Sequence, residues 1–274
     1  MPLTNFQRKV LRVVSENRSP DSYVAGGSAL NAVGGRFSQD IDIFSDSAER
    51  SAVAAQADAL SLSQEGFEID WILQSGGFSR AVVSDQSGST KLEWADDSAF
   101  RYFPTQEDPN FGYTLHPVDA ACNKMMAAVS RSEVRDAVDL VRIERDILPL
   151  GPLAWAAAEK SPGFSPNAMI DRIRQQASHR PEDIDQVSMT DEISAPALNL
   201  WLRRACDRAE TWLESVPRGT DSGLIIDKKT GGAIDPDFSR LKPTSWTVHK
   251  GKLEGVWPTS SEILSAMLRR DDER

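Results

Sequence analysis

The feature that most limits what this chain can become is a spacing near its start. Gly26-Gly27-Ser28 is followed by eleven residues and then by Asp40-Ile41-Asp42. A short apolar run, Tyr23-Val24-Ala25, precedes the glycines, and Ala29-Leu30-Asn31-Ala32-Val33 follows them. This pattern predicts a strand, a tight turn and a helix start, with Ser28 as the N-cap and Gly34-Gly35-Arg36 ending the helix. Ser38 to Phe44 alternates polar and apolar residues, which predicts a half-buried strand. Side chains on a strand repeat every two residues, so Asp40 and Asp42 share a face. Two adjacent carboxylates repel unless a cation lies between them. Magnesium suits the pair, because it takes oxygen ligands and bridges carboxylates to phosphates. Glycines let the backbone turn tightly and approach a ligand closely. A helix that starts there presents N–H groups to phosphate, and Ser28 can add a hydroxyl contact. Gly26, Gly27 and Ser28 are therefore candidate phosphate binders, and Asp40 and Asp42 candidate metal ligands.

The flanking sequence predicts an α+β chain. Asn5 to Glu16 and Ala48 to Leu62 read as helices. Phe67 to Ile72, Ser79 to Ser84 and Thr90 to Trp94 read as strands. A looser stretch rich in Asp, Pro and aromatics runs to His116-Pro117, and then Val118 to Ser130 and Val134 to Arg145 read as helices. Leu148-Pro149-Leu150-Gly151-Pro152 predicts a boundary between a first domain, 1–148, and a mostly helical second one, 149–274. In the second, Leu153 to Lys160, Asn167 to Ser178, Pro196 to Glu214 and Ser260 to Arg270 read as helices. Leu224 to Asp227 reads as a strand, and Trp246-Thr247-Val248 and Leu253 to Trp257 as a hairpin turning at Lys250-Gly251-Lys252.

The segment from Tyr23 to Phe44 resembles the signature of the nucleotidyltransferase superfamily. Gly26 to Leu30 together with Arg36 to Phe44 is similar to the AbiEii/AbiGii toxin family within it. A second match lies downstream. Asp119-Ala120-Ala121-Cys122-Asn123-Lys124, then Arg131 and Arg135-Asp136-Ala137-Val138-Asp139-Leu140, resembles that family's Lys-containing helix and its Arg-Asp-x-x-Asp-Leu helix. The two matches span roughly the first 145 residues. The chain departs at Gly35, where relatives often carry His.

The resemblance implies a nucleotidyltransferase fold: a small mixed sheet flanked by helices, with the C-terminal half as the far wall of an acceptor cleft. It implies magnesium on Asp40, Asp42 and a third carboxylate from a later strand. Glu93 is the candidate there, with Asp96 and Asp97 as alternatives. Lys124 would contact the triphosphate, helped by Arg131 and Arg135. Asp136 would lie near the acceptor or metal, and Arg135 and Asp139 would be partly structural. The reaction implied is attack of an acceptor hydroxyl on the α-phosphorus of an NTP, with release of pyrophosphate. The acceptor would be tRNA or a protein, and the enzyme the toxin of a toxin–antitoxin pair. Two other readings stand beside it: transfer to a small molecule of the aminoglycoside kind, and a non-catalytic nucleotide-binding module.

Bland explanations compete residue by residue. A solvated strand face accounts for Lys91 and Glu93, apolar packing of its stem accounts for Lys124, and an i,i+4 ladder accounts for Arg131, Arg135 and Asp139. The formal net charge of −10 argues against a surface built for general nucleic-acid binding, which needs basic groups to displace counterions. It mildly favours a cationic small-molecule acceptor. Cys122, Cys206 and the three scattered histidines match no zinc spacing. No apolar run approaches the ~18 residues of a membrane helix, and the first residues lack a signal-peptide core, so the expected compartment is the cytoplasm.

Overall fold

A computed structural model describes residues 3–30, 36–161, 163–189 and 192–258. The helix expected through Asn31 to Val33 and its Gly34-Gly35 end lie outside the described residues, as does the expected helix from Ser260 to Arg270. The chain forms two compact units, 1–120 with 188–192, and 121–187 with 193–274.

The first unit is built on a mixed sheet. Its elements are α1 (Asn5–Val14), β1 (Ser22–Ala25), α2 (Gly26–Leu30), β2 (Asp40–Ser45), α3 (Ala48–Gln64), β3 (Glu68–Ser75), β4 (Phe78–Asp85), β5 (Gly88–Asp96), β6 (Phe100–Arg101), β7 (Gln106–Asp108) and β8 (Gly112–Thr114), then the start of α4 (Pro117–Ser130). Seven strands lie in the order β3-β4-β5-β2-β1-β8-β7. β2 runs parallel to β5 and antiparallel to β1, and β1 runs parallel to β8. The sheet is larger than the sequence predicts. β7 and β8 fall in the stretch read as loose, and at three residues each they are too short to show a period.

The larger core cluster lies on one face of this sheet, and a smaller one, Tyr23, Ala25 and Leu115 with Phe44 packed against it, forms separately. α1 contributes Phe6, Val10, Leu11 and Val14, α3 contributes Ala54, Ala55 and Leu62, and the strands contribute Ile41, Ile43, Ala81, Val83, Leu92 and Trp94. Thr4 caps α1 in a capping box with Gln7, worth about 1 kcal/mol. Gln7 also donates to the Ser38 carbonyl at 2.9 Å, which ties α1 to the chain just before β2. A bridge between Arg36 and Met189, with Phe37 N donating to the Ser188 carbonyl, brings 188–192 into this unit.

The second unit holds the rest of α4, then α5 (Val134–Asp146), α6 (Leu150–Lys160), α7 (Pro166–Gln176), α8 (Pro181–Ile184), α9 (Ala195–Ser215), β9 (Leu224–Asp227), β10 (Trp246–His249) and β11 (Lys252–Leu253). The division falls within α4, earlier than residue 148, because α5 and α6 pack on the long helix α9 together with α7. Here the expected hairpin is corrected. β10 pairs antiparallel with β9, from Trp246 opposite Asp227 to His249 opposite Leu224. The apolar run Leu224-Ile225-Ile226 is buried and outcompetes the local turn for β10's edge. β11 covers only Lys252 and Leu253, and residues 254–257 form no strand.

Candidate active site

β2 alternates as its sequence demands. Ile41, Ile43 and Ser45 are buried on the core face, while Asp40, Asp42 and Phe44 are half-buried on the other. Glu93 sits in register beside Asp42 on β5, and because the two strands are parallel their side chains share that second face. Three carboxylates, Asp40, Asp42 and Glu93, therefore stand on one sheet face, away from the α1–α3 core. The register separates the candidates for the third acid. Asp96 pairs with Ser45, on the alternation of the buried Trp94, and Asp97 follows the strand's end.

The glycine turn is shaped around Asp42. Gly26 has φ +64°, and a Cβ built on it would collide with the Asp42 carboxylate. Glycine is required here twice over: by the left-handed backbone and by the approach of Asp42. A Cβ on Gly27 would press on the Arg36 guanidinium and approach Ser38 Oγ at 3.2 Å. α2 starts at Gly26, so Ser28 lies inside the helix and is not its N-cap. Ser28 is buried, and its hydroxyl donates to the Ala25 carbonyl at 3.2 Å. In this conformation Ser28 closes the turn on itself and does not offer its hydroxyl to a ligand.

Cations attend the three acids. Arg80, opposite Glu93 on β4, donates from Nε to Glu93 at 2.8 Å. Lys91 Nζ lies 3.6 Å from Asp40 Oδ1, beyond hydrogen-bonding reach. That oxygen is buried and has no hydrogen-bond partner. Among the described residues, no group of three or more His, Cys, Asp or Glu side chains is gathered closely enough to hold a metal ion. The donors are nevertheless of the right chemistry for one. The donors are all hard carboxylate oxygens, one of them is a buried acceptor left unsatisfied, and the competing cations are half-exposed side chains able to swing away.

The downstream candidates form a cluster of their own in the second unit. Lys124 Nζ lies 2.9 Å from both Asp136 Oδ1 and Asp139 Oδ2. Arg131 donates to Asp136 from Nε at 2.8 Å. Lys124, Asp136 and Asp139 are all buried. Burial opposes ionisation of Asp136 most strongly, but the hydrogen bonds and charges of Arg131 and Lys124 together hold its carboxyl below the usual range. The apolar surroundings proposed for Lys124's stem and the Arg131–Arg135–Asp139 ladder thus give way to a different pairing, with Lys124 bridging two acids and Arg131 reaching Asp136. Arg135 is half-buried, and its Nε is buried with no hydrogen-bond partner.

Arg80 and the role of Lys91 were not legible in the sequence. The signal was the pairing of β4, β5 and β2, which one chain's residue pattern does not reveal.

The fold has a counterpart among solved structures. MenT4, a nucleotidyltransferase toxin from Mycobacterium tuberculosis, superposes with a TM-score of 0.53 at 15% identity, over 75% of this chain and 82% of that one. The fold is that of the nucleotidyltransferases. A candidate nucleotidyltransferase from H. pylori aligns over 77% of this chain and 96% of its own, at 15% identity and a TM-score of 0.49. No family model matches the sequence, and a search of curated proteins finds no match either. Identity of 15% to MenT4 carries the nucleotidyltransferase fold to this chain and nothing finer. Among the described residues, no helix is long and apolar enough to cross a membrane.

Proposed function

We propose that this chain is a magnesium-dependent nucleotidyltransferase that moves an NMP from an NTP to an acceptor hydroxyl. One observation carries the reading: Asp40, Asp42 and Glu93 stand in register on one face of a nucleotidyltransferase sheet, beside a glycine turn that admits Asp42 and no side chain of its own. Asp40, Asp42 and Glu93 would hold the metal, which when bound supplies positive charge for the phosphates and the developing negative charge. Gly26 and Gly27 let the backbone lie close to the triphosphate. Glu93 orients the acceptor hydroxyl and is the group placed to take its proton. The α-phosphorus–oxygen bond to pyrophosphate breaks as the bond to the acceptor oxygen forms.

For the second unit, the same reading gives Lys124, Arg131 and Arg135 to the nucleotide and sets Asp136 near the acceptor or metal. Arg135 supports it, through its unsatisfied buried Nε. Lys124 reaches phosphate only by leaving two buried carboxylates, so in the resting protein it and Asp136 act first as the tie between α4 and α5.

The likeness to a nucleotidyltransferase toxin favours a toxin role, with tRNA or a protein as acceptor and an antitoxin as partner. The net charge of −10 favours the second reading, a cationic small-molecule acceptor. The test is incubation with each α-labelled NTP, magnesium and either total tRNA, cell lysate or an aminoglycoside, beside an Asp40→Ala/Asp42→Ala double variant. Label moved by the wild type alone supports the reading and names the acceptor class. No transfer and no magnesium-dependent NTP binding by calorimetry would sink it.

A further inference from the structure

The open face of the sheet carries more than three acids. Reading across β2, β5 and β4, one row is Asp42, Glu93, Arg80 and the next is Asp40, Lys91, Val82. In these two rows the carboxylates share the face with Arg80 and Lys91, each set beside an acid that the proposed reaction needs. Arg80 is hydrogen-bonded to Glu93, and its side chain is 40% exposed. Lys91 is 50% exposed and stands short of bonding distance from Asp40.

We infer that Arg80 and Lys91 are positioning residues that occupy the carboxylates in the empty site and exchange them for the triphosphate when metal and nucleotide arrive together. The inference rests on the reading under Proposed function. The physics is competition. Arg80 is hydrogen-bonded to Glu93, so a divalent ion that binds alone must displace a guanidinium. A triphosphate brings its own negative charge. A guanidinium then exchanges one carboxylate for phosphate oxygens, which its planar fork matches in pairs, and Glu93 is released toward the metal. Lys91 does the same more weakly for Asp40, as a point charge. Metal and nucleotide each remove an obstacle to the other, which is positive coupling between two ligands. Half-exposed ion pairs are individually weak, so the expected coupling per residue is about twofold to fivefold in affinity.

The test uses the full chain, with manganese as a paramagnetic magnesium substitute and a non-hydrolysable NTP analogue. Manganese affinity is measured by electron paramagnetic resonance, with and without the analogue, for wild type, Arg80→Gln, Arg80→Lys and Lys91→Gln. The expected result is that Arg80→Gln binds manganese about twofold to fivefold more tightly without nucleotide. It should also bind the analogue more weakly and lose most of the coupling. Lys91→Gln should move the same way by less. Arg80→Lys should fall between wild type and Gln, because it keeps the charge without the fork. A general structural defect would weaken manganese binding in every variant, opposite in sign to the expectation. If wild type binds manganese and the analogue but Arg80→Gln leaves the metal affinity unchanged, this inference is overturned and the proposed function stands. If wild type binds manganese under neither condition, the proposed function falls and this inference falls with it.

Discussion

The two faces of the first unit's sheet use the same residue types to opposite ends. On the core face, Asp58 of α3 is fully buried, yet every oxygen has a donor. Arg18 reaches it twice, at 2.6 and 2.7 Å, Trp94 Nε1 once at 2.7 Å and Asn17 once at 2.9 Å. On the open face, Asp40 also has a buried oxygen, but that oxygen accepts nothing, and its nearest cation is half-exposed and too far to bond. One strand serves both: Trp94 of β5 points back to Asp58, while its neighbour Glu93 points forward to Arg80. A buried carboxylate is tolerated when it is saturated with donors. Where it is left short, as at Asp40 Oδ1, the oxygen is open to a donor or cation from outside the chain. The difference predicts which acids matter to folding and which to activity.

The largest effect falls on the open face. Asp42→Asn keeps the shape and removes a charge, and nucleotidyl transfer is expected to drop by about 10³-fold. Asp42 is only half-buried, so stability should change far less than it does when a fully buried acid of the core face is removed. Label transfer and urea unfolding measure the two. An active Asp42→Asn, or a badly destabilised one, would break the comparison from this side.

Asp58→Ala is the matching experiment on the core face. It strands the Arg18 guanidinium, whose side chain is fully buried, and is expected to cost about 3–5 kcal/mol of stability. Where the protein remains folded, at low temperature, transfer per folded molecule should stay near that of the wild type. A stability loss under 1 kcal/mol would show that the number of donors does not separate the two classes of acid.

Gly26→Ala joins the faces, since it acts on the open one through the backbone. The left-handed φ and the collision with Asp42 together should cost about 1–3 kcal/mol. Unlike Asp58→Ala, it should also lower activity, because Asp42 must move. An alanine tolerated without loss of either would mean that the turn relaxes freely.

These cases also mark how far the sequence was legible. The alternation in Asp40-Ile41-Asp42-Ile43 fixed both the strand and its two faces, because a period of two leaves no other choice. The helices α1, α3, α4 and α5 were legible for the same reason, through their apolar spacing. What stayed hidden was pairing between distant segments. Arg80 becomes meaningful only when β4 is laid beside β5. Lys124 bridges Asp136 and Asp139 only when α4 packs on α5. β10 chose β9, about twenty residues upstream, over the expected hairpin partner beside it. Such choices are settled by what the partners bury, which no local window contains.

The smallest effect concerns a third way to manage a buried titratable group, which is to leave it uncharged. His116 lies just before α4, its ring 4.1 Å from that of Phe103, and its Nδ1 accepts from Val118 N at 3.2 Å. Burial pushes its imidazole down to about 4. With the folded value below the unfolded one, near 6.5, the unfolded chain binds the proton first. The contribution to stability is therefore complete above pH 6.5 and is lost as pH falls from there toward 4. A shift of that size would remove about 2 kcal/mol by pH 5. Urea unfolding at pH 7, 6 and 5 reads the slope, and His116→Gln should flatten it over that interval. Asp136 provides the opposing control. Its carboxyl lies below the usual range through Lys124 and Arg131, so it holds its contribution until pH falls below about 4 and stays silent in the histidine window. A slope that survives His116→Gln would place the titrating group elsewhere, and a flat wild-type profile would mean that the imidazole is solvated enough to titrate as it does in the unfolded chain.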